Sequence, residues 1–348
     1  MAERVVSTSK LADPTRPPIA VVIPNKGRAE LCRAAIESLQ GQSLPDWEAI
    51  IVDDGSTPAE LECIRAGIAD DQRVRLILRD SPPAGANHCR NLGVDHARAD
   101  LIVFLDSDDM LSPGCLAARA AEMAKRPDLA FIVFPHEHFN VQPGDMDDPW
   151  VVPSEDQHLD RFLMGSPPWQ TAGPTWRRSA LKAVGPWDES LPCGQDWDFH
   201  VRALVLQLPH TAVPQPRFFH RITGNHRECV SNWALRSSAS VHARLNMTAK
   251  ACGLLRNSGL LTYKREQLLA RLFLLTAEQL VQYGERSTAS RWWGRALELG
   301  LISRRQYHEG KVLFRLHGIP ILRSAFRLYA HCFWPPTLRH HLTIQADG

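Results

Sequence analysis

No stretch of the 348 residues stays apolar for the roughly 18–20 positions that a membrane-spanning helix requires. The opening MAERVVSTSKLADPTRPP lacks the apolar centre of a secretory signal and reads as a polar, proline-ended leader over 1–18. A cytoplasmic location is therefore expected. Cysteines fall at 32, 63, 89, 115, 193, 229, 252 and 332, with no C-x-x-C pair. That spacing suits neither a zinc site nor a small-domain disulfide framework, and leaves reduced thiols serving as small apolar residues. No G-x-x-x-x-G-K-[ST] loop occurs, which argues against a P-loop NTPase. The first apolar run continues into PNKGRAE rather than G-x-G-x-x-G, which argues against a dinucleotide-binding Rossmann site. No internal repeat is evident.

What is present is an ordinary globular composition, long enough for one large domain or a domain with a helical appendage. The net charge is only +2, and no nucleic-acid partner is expected. The two parts of the chain differ, however. From residue 240 onward 16 Lys/Arg face 6 Asp/Glu, while the remainder carries 24 against 32. The acidic part suits a cation-dependent site, and the basic part suits an anionic partner such as a membrane surface.

Short apolar runs alternate with helical patterns. IAVVIP (19–24), WEAIIVDDGS (47–56), VRLIL (74–78) and LIVFL (101–105) read as buried strands, the second running into two aspartates and a Gly turn. Between them, RAELCRAAIESLQ (28–40) places Leu31, Ala34, Ala35 and Leu39 on one face, and GANHCRNLGVDHA (85–97) reads as a second helix. This alternation implies βαβ units and an α/β sandwich. AFIVFP adds a short strand, 140–158 reads as loop, and GQDWDFHVRALVLQ resumes helical spacing with Trp197, Val201, Leu204 and Val205 as its stripe. Beyond about 235–240 the pattern becomes successive amphipathic helices, so the expected division is 19–238 and 239–348.

The fourth strand stops in Asp106, Asp108 and Asp109. Adjacent like charges are costly unless a cation lies between them. Carboxylates select hard cations, Mg²⁺ or Mn²⁺, which reach a protein through one or two acids plus substrate phosphates. A diphosphate is then the expected ligand, although D-x-D at a strand end is also a common capped turn. Ligands of open α/β sheets gather beyond the strand carboxyl ends, so Asp53/Asp54 and Asp106/Asp108 are expected to face one crevice. Asp109 is expected to cap the helix begun by LSPGCLAARAAEM.

The blocks VVIPNKGRAELCRAAIESLQGQ, IIVDDGST, GANHCRNLGVDHARADLIVFLDSDDMLSP and GQDWDFHVRAL together resemble the family 2 glycosyltransferases, inverting enzymes of the GT-A fold, over about 19–225. The resemblance implies a GT-A Rossmann-like sandwich with a mostly parallel central sheet, followed here by a helical C-terminal region. It implies a nucleotide-diphosphate sugar donor, most often a UDP-sugar, and a carbohydrate or lipid-linked acceptor. By position, Asp54 matches the aspartate that binds the nucleotide base. Asp106 and Asp108 match the metal-binding D-x-D, with Asp108 the direct ligand and Asp106 nearer the ribose. Asp196 matches the catalytic base, and Pro24 and Arg90 line the nucleotide site. Inverting transfer needs one base for the acceptor hydroxyl and one cation on the departing diphosphate, and this set supplies both.

Two positions depart from the resembling pattern. Gln195-Asp196 stands where Glu-Asp is frequent, and His220-Arg221 where Tyr-Arg is frequent. Asp198 and Asp196 are two apart on a helix and point to different faces, so only one can serve the crevice. His226 reads as a structural histidine, and Trp169, Trp176, Trp187 and Trp197 mostly as core, with one of them a candidate sugar platform. The rival readings are a nucleotidyltransferase, which wants a Gly-rich phosphate loop that PNKGRAE does not provide, and a non-catalytic sugar-nucleotide-binding protein. The basic stretch KVLFRLHGIPILRSAFRLYAHCFW (311–334) reads either as a helical cap or as an interfacial segment at an anionic leaflet, broken at Pro320.

Overall fold

The computed structural model describes residues 16–79, 85–222 and 237–316. The first half alternates strand and helix: β1 (Ile19–Asn25), α1 (Ala29–Gln40), β2 (Glu48–Asp53), α2 (Pro58–Ile68), β3 (Val74–Leu78), α3 (Ala86–His96) and β4 (Leu101–Phe104). A short β5 (Met110–Leu111) and α4 (Cys115–Lys125) lead to β6 (Phe131–Val133), β7 (His136–Phe139) and β8 (Pro149–Trp150). Then come α5 (His158–Met164), β9 (Pro174–Arg177), α6 (Arg178–Val184), α7 (Gln195–Val205), β10 (His210–Ala212) and β11 (Phe218–Arg221). The helices α8 (Ser238–Asn257), α9 (Tyr263–Gln282), α10 (Arg286–Glu298) and α11 (Arg304–Leu316) follow.

Seven strands form the main sheet in the order β10-β6-β9-β4-β1-β2-β3. All its pairings are parallel except those of β9, which runs antiparallel between β4 and β6. The expected mostly parallel α/β sandwich with C-terminal helices is what the chain adopts. Strand order reverses at β1: the chain moves outward to β2 and β3, then returns to place β4 on the other side of β1. Ligands of open α/β sheets gather beyond the carboxyl ends at such a switch point, where β1, β2 and β4 end and the chain runs on into Asp54 and Asp106. A second sheet, β5-β11-β7-β8, carries His220 and Arg221 up to the end of β4.

The period of two along β1 explains the layers. Ala20 and Val22 point to one face with Ile50, Val52, Ile102 and Phe104, while Ile19, Val21 and Ile23 join Ile51 and Val103 on the other. Each fully buried Val or Ile is worth about 1.5–3 kcal/mol of burial. The first face continues without a break through α7 into Leu245, Leu269, Phe273 and Trp293, so the C-terminal helices share one core with the sheet. In α1 the buried face is Cys32, Ala35, Ile36 and Leu39; Leu31 and Ala34, expected on it, lie at its margin. The apolar pattern admitted both registers, and Ile36 decides between them by filling the space under β1. At α2, Thr57 and Glu60 form a reciprocal capping box ahead of Pro58.

Cys32, Cys89, Cys115, Cys193 and Cys252 are buried free thiols, and Cys63 is a half-buried one; Cys229 and Cys332 lie outside the described residues. Among the described residues no helix is long and apolar enough to cross a membrane. Pro320 and most of 311–334 lie outside them.

Helix α3 lies unusually close to β1. A β-carbon at Gly93 would fall 2.3 Å from Val22 Cγ1, so only glycine lets the helix approach this far. That approach seats Arg90, one turn earlier, against the end of β4. Gly93→Ala is expected to cost about 1–3 kcal/mol by overpacking, read as a lower denaturation midpoint in urea. An unchanged midpoint would show that α3 can back away freely.

Candidate active site

At the end of β4 the three aspartates are crowded and mostly shielded. Asp106 Oδ1 accepts from Arg90 Nη2 at 2.7 Å, and Asp108 Oδ2 accepts from Arg28 Nη1 at 2.6 Å. Burial, then Asp109 and Asp106 as like-charged neighbours, raise the Asp108 carboxyl to about 6 despite Arg28. A raised carboxyl here marks a place where more positive charge is wanted. Among the described residues no three metal-binding side chains converge into a complete cage. Two adjacent carboxylates with oxygen donors nevertheless fit a hard cation that completes its shell with phosphate and water.

Asp109 differs from its expected role. The residue that begins α4 is Gly114, and Asp109 does not cap that helix. Instead its carboxylate is 2 % exposed and accepts from His220 Nδ1 at 3.1 Å and from the Arg221 backbone N at 2.9 Å. It fastens β11 to the D-x-D turn, and Arg221 Nε reinforces this by donating to the Asp108 carbonyl at 3.0 Å. Burial disfavours charge on His220, but Asp109 in contact, with Asp106 and Asp108 behind it, outweighs that and raises the imidazole to about 9.

The aspartates after β2 separate into two roles. Asp53, expected to face the crevice, turns into its own loop: it accepts from Asn25 Nδ2 (2.7 Å), Ser56 N (2.8 Å) and Gly55 N (3.2 Å). A short polar side chain after a strand is better satisfied by the turn's own donors than by solvent. Asp54 accepts from Arg79 Nη1 at 2.5 Å and from Gly85 N at 2.7 Å, at the mouth of α3. Pro24 is buried inside β1, paired in register with Val52, one residue before the strand end.

Asp196 and Asp198 both sit in the first turn of α7, and their environments divide as their spacing requires. Asp198 Oδ2 accepts from Arg202 Nε at 2.8 Å, and Asp198 Oδ1 lies 3.2 Å from Lys250 Nζ. Asp196 stays partly exposed and feels Arg90 and Asp106. Burial raises its carboxyl above the ordinary range, against a hydrogen bond from Trp197 N at 2.8 Å and the pull of Arg90. The two halves of the site are held in register by aromatic contacts: Trp187 stacks on Phe199 at 4.1 Å and meets Phe104 edge-on at 5.1 Å. Trp169, Trp176, Trp187 and Trp197 are all 9 % exposed or less, which is core. His226 lies outside the described residues.

Residues 20–182 match the model of the glycosyl transferase family 2. That match spans a little under half of the chain, and over it the chain is similar to this family. It is 34% identical over 101 residues to the GalNAc(5)-diNAcBac-PP-undecaprenol beta-1,3-glucosyltransferase of Campylobacter jejuni, a match that covers 29% of this chain and 33% of that protein. The chain thus spans about a third of the length of that relative. Crystals of S. aureus TarS 1-349 with UDP-GlcNAc superpose at a TM-score of 0.60 and 14% identity, covering 86% of this chain and 92% of the other. The mannosyltransferase PcManGT of Pyrobaculum calidifontis, solved with GDP-Man and Mn2+, gives 0.53 at 16% identity over 92% and 85%. At those identities the likeness establishes the GT-A fold alone.

Within 20–182, Arg28 and Arg79 hold Asp108 and Asp54, and neither arginine is among the residues expected from the sequence. Each had a visible signal: Arg28 lies four residues after Pro24, and Arg79 directly follows the third strand. A lone arginine at a strand end looks like any solvated charge until its carboxylate partner is known. For His220 the sign of linkage is clear. Its folded value is raised, so its contribution is full below pH 6.5 and lost as pH rises through about 9. In metal-free protein, His220→Asn should flatten the fall of Tm between pH 7 and 9, and an unaltered slope would refute the pairing with Asp109.

Proposed function

We propose that this protein is a glycosyltransferase that moves a sugar from a nucleotide-diphosphate sugar, a UDP-sugar in the first instance, to an acceptor hydroxyl with inversion. Its setting is glycan or cell-envelope polysaccharide synthesis. One observation carries the reading. Of Asp54, Asp106, Asp108, Asp109 and Asp196, only Asp196 has no salt-bridge partner among the described residues. The other four each meet a cationic side chain across a salt bridge. Asp196 is left with a raised carboxyl pKa, directed toward Arg90 and Asp106, as a group that takes up a proton must be.

On this reading Asp196 removes the acceptor proton as the hydroxyl attacks the anomeric carbon from the face opposite the diphosphate. Asp54 binds the base edge, and Pro24 and Arg90 line the nucleotide pocket with Asp106. A bound Mn²⁺ or Mg²⁺ held by Asp106 and Asp108 would supply positive charge to the departing diphosphate. Support for UDP comes from the TarS complex and for a divalent cation from the Mn2+ of the mannosyltransferase. A lipid-linked acceptor is suggested by the undecaprenol in the name of the Campylobacter relative.

Asp196→Asn keeps the shape and removes the basicity. Nucleotide binding should survive while transfer falls by about 10²–10⁴-fold. Asp108→Ala should abolish the Mn²⁺-dependent thermal stabilisation by UDP yet leave a folded protein. Retention of that stabilisation would remove Asp108 from the metal site, and a crippled Asp198→Asn beside a normal Asp196→Asn would reassign the base.

A lipid-linked acceptor would also bring the basic C-terminal region, 239–348, to an anionic surface as a peripheral contact. Cosedimentation with anionic vesicles at low salt, with release at high salt, is the expected result. Absence of binding at low salt excludes the contact.

A further inference from the structure

The segment 186–198 carries Asp196 between α6 and α7, and it is held from two sides. On one side α3 grips its start. Asn87 Nδ2 donates to Asp188 O at 2.7 Å, Asn91 Nδ2 donates to Trp187 O at 3.0 Å, and Asn91 Oδ1 accepts from Trp187 N at 2.9 Å. His88 Nδ1 lies 2.7 Å from Glu189 Oε2. Helix α3 is also the helix of Arg90, so this side ties the segment to the D-x-D.

On the other side stands α8, from the C-terminal helices. Lys250 Nζ lies 3.0 Å from Asp188 Oδ2 and 3.2 Å from Asp198 Oδ1. One ammonium group thus joins the start of the segment to the first turn of α7, ten residues further along and two past Asp196. Arg202 extends the tie, holding Asp198 through Nε and the Val184 and Pro186 carbonyls through Nη1 and Nη2 at 2.7 and 2.9 Å. One turn before Lys250, Met247 packs on the left-handed Gly194 (φ +68°), where a β-carbon would sit 2.7 Å from Met247 Cε.

Trp187, Cys193 and Trp197 bury the inner side of the segment, and its outer side around Asp188 is open. A cavity of about 530 Å³ opens behind it, lined by Asn91, Trp187, Asp188, Ser190, Arg202 and Lys250. With open space behind the loop, a charged tie across its two ends fixes a conformation that packing alone would leave free.

We infer that Lys250 is a positioning residue, which sets the place of Asp196 by bridging Asp188 and Asp198; this rests on the reading of Asp196 as the base. The C-terminal helices then act on the chemistry itself. Lys250 touches no reacting atom and works through the two carboxylates.

Kinetics of Lys250→Met, which keeps the aliphatic stem and removes the charge, test this in the full chain with a UDP-sugar and Mn²⁺. Turnover should fall about tenfold or more, since a displacement of ~1 Å at a reacting group can cost ~10²-fold. The donor KM and the thermal shift with UDP should stay within about twofold of wild type, and Lys250→Arg should recover most of the loss. In a cycle with Asp188→Asn, the double variant should turn over no slower than Lys250→Met alone, because both changes break the same bridge. Wild-type turnover in Lys250→Met, beside an inactive Asp196→Asn, would overturn this inference and leave the base standing. A parallel loss of UDP affinity and turnover would mark a merely structural lysine and overturn it equally. If Asp196→Asn is fully active, the base reading fails, and the positioning role falls with it. Should Lys250→Met not fold, Asp188→Asn alone must still lower turnover at unchanged KM, and normal turnover in it refutes the proposal.

Discussion

Three carboxylates within four residues, at the end of a buried strand, are the constraint around which the rest of the site is arranged. Left alone, Asp106, Asp108 and Asp109 would repel one another in a place where water cannot screen them. The fold answers each with its own cation from a different element: Arg90 from α3, Arg28 from the turn after β1, and His220 from β11. These three elements are therefore drawn to one point. Tertiary structure near the crevice follows from neutralising a local charge density written into ten residues of sequence.

That gathering does not by itself bring in Asp196, which lies 90 residues beyond Asp106 in the chain. Packing does so. Phe104, two residues before Asp106, touches Trp187, and Trp187 stacks on Phe199, three residues after Asp196. Arg90 lies over the same Trp187 ring at 4.7 Å. The spacing between the D-x-D turn and Asp196 is thus set by stiff aromatic side chains with few rotamers, and the continuous core carries the constraint into the C-terminal helices. Beside the segment that carries Asp196, where the core gives way to open space, Lys250 adds charged contacts to Asp188 and Asp198.

Much of this arrangement is legible in the sequence. The strands at 19–24, 74–78 and 101–105, and the helices near 28–40 and 85–97, are found within a residue or two, because buried parallel strands are nearly all apolar and their helices are periodic. Helical geometry says that only one of Asp196 and Asp198 can face the crevice, the order of the family-like blocks favours Asp196, and in the structure it is Asp198 that pairs with Arg202. What sequence could not supply was partner identity. Asp53 and Asp54 are adjacent and chemically alike, yet one closes a turn and the other meets Arg79. Asp109 looked like a helix cap because Asp commonly is one, and only the arrival of β11, 111 residues later, shows otherwise. Arg28, Arg79 and Lys250 are of the same kind: their meaning lies in contacts made across the fold.

The site thus holds two kinds of carboxylate, and the difference between them is physical. Asp54 and Asp106 each sit against a guanidinium group, Arg79 and Arg90. Asp196 is in the opposite position. Enclosure favours its neutral form, and Arg90, the nearest cation, is already engaged with Asp106 and Asn87. Taking up a proton there relieves desolvation rather than breaking a pair. The same crevice therefore holds Asp54 and Asp106 in ion pairs and leaves Asp196 without one among the described residues, the difference lying in which aspartate receives an arginine.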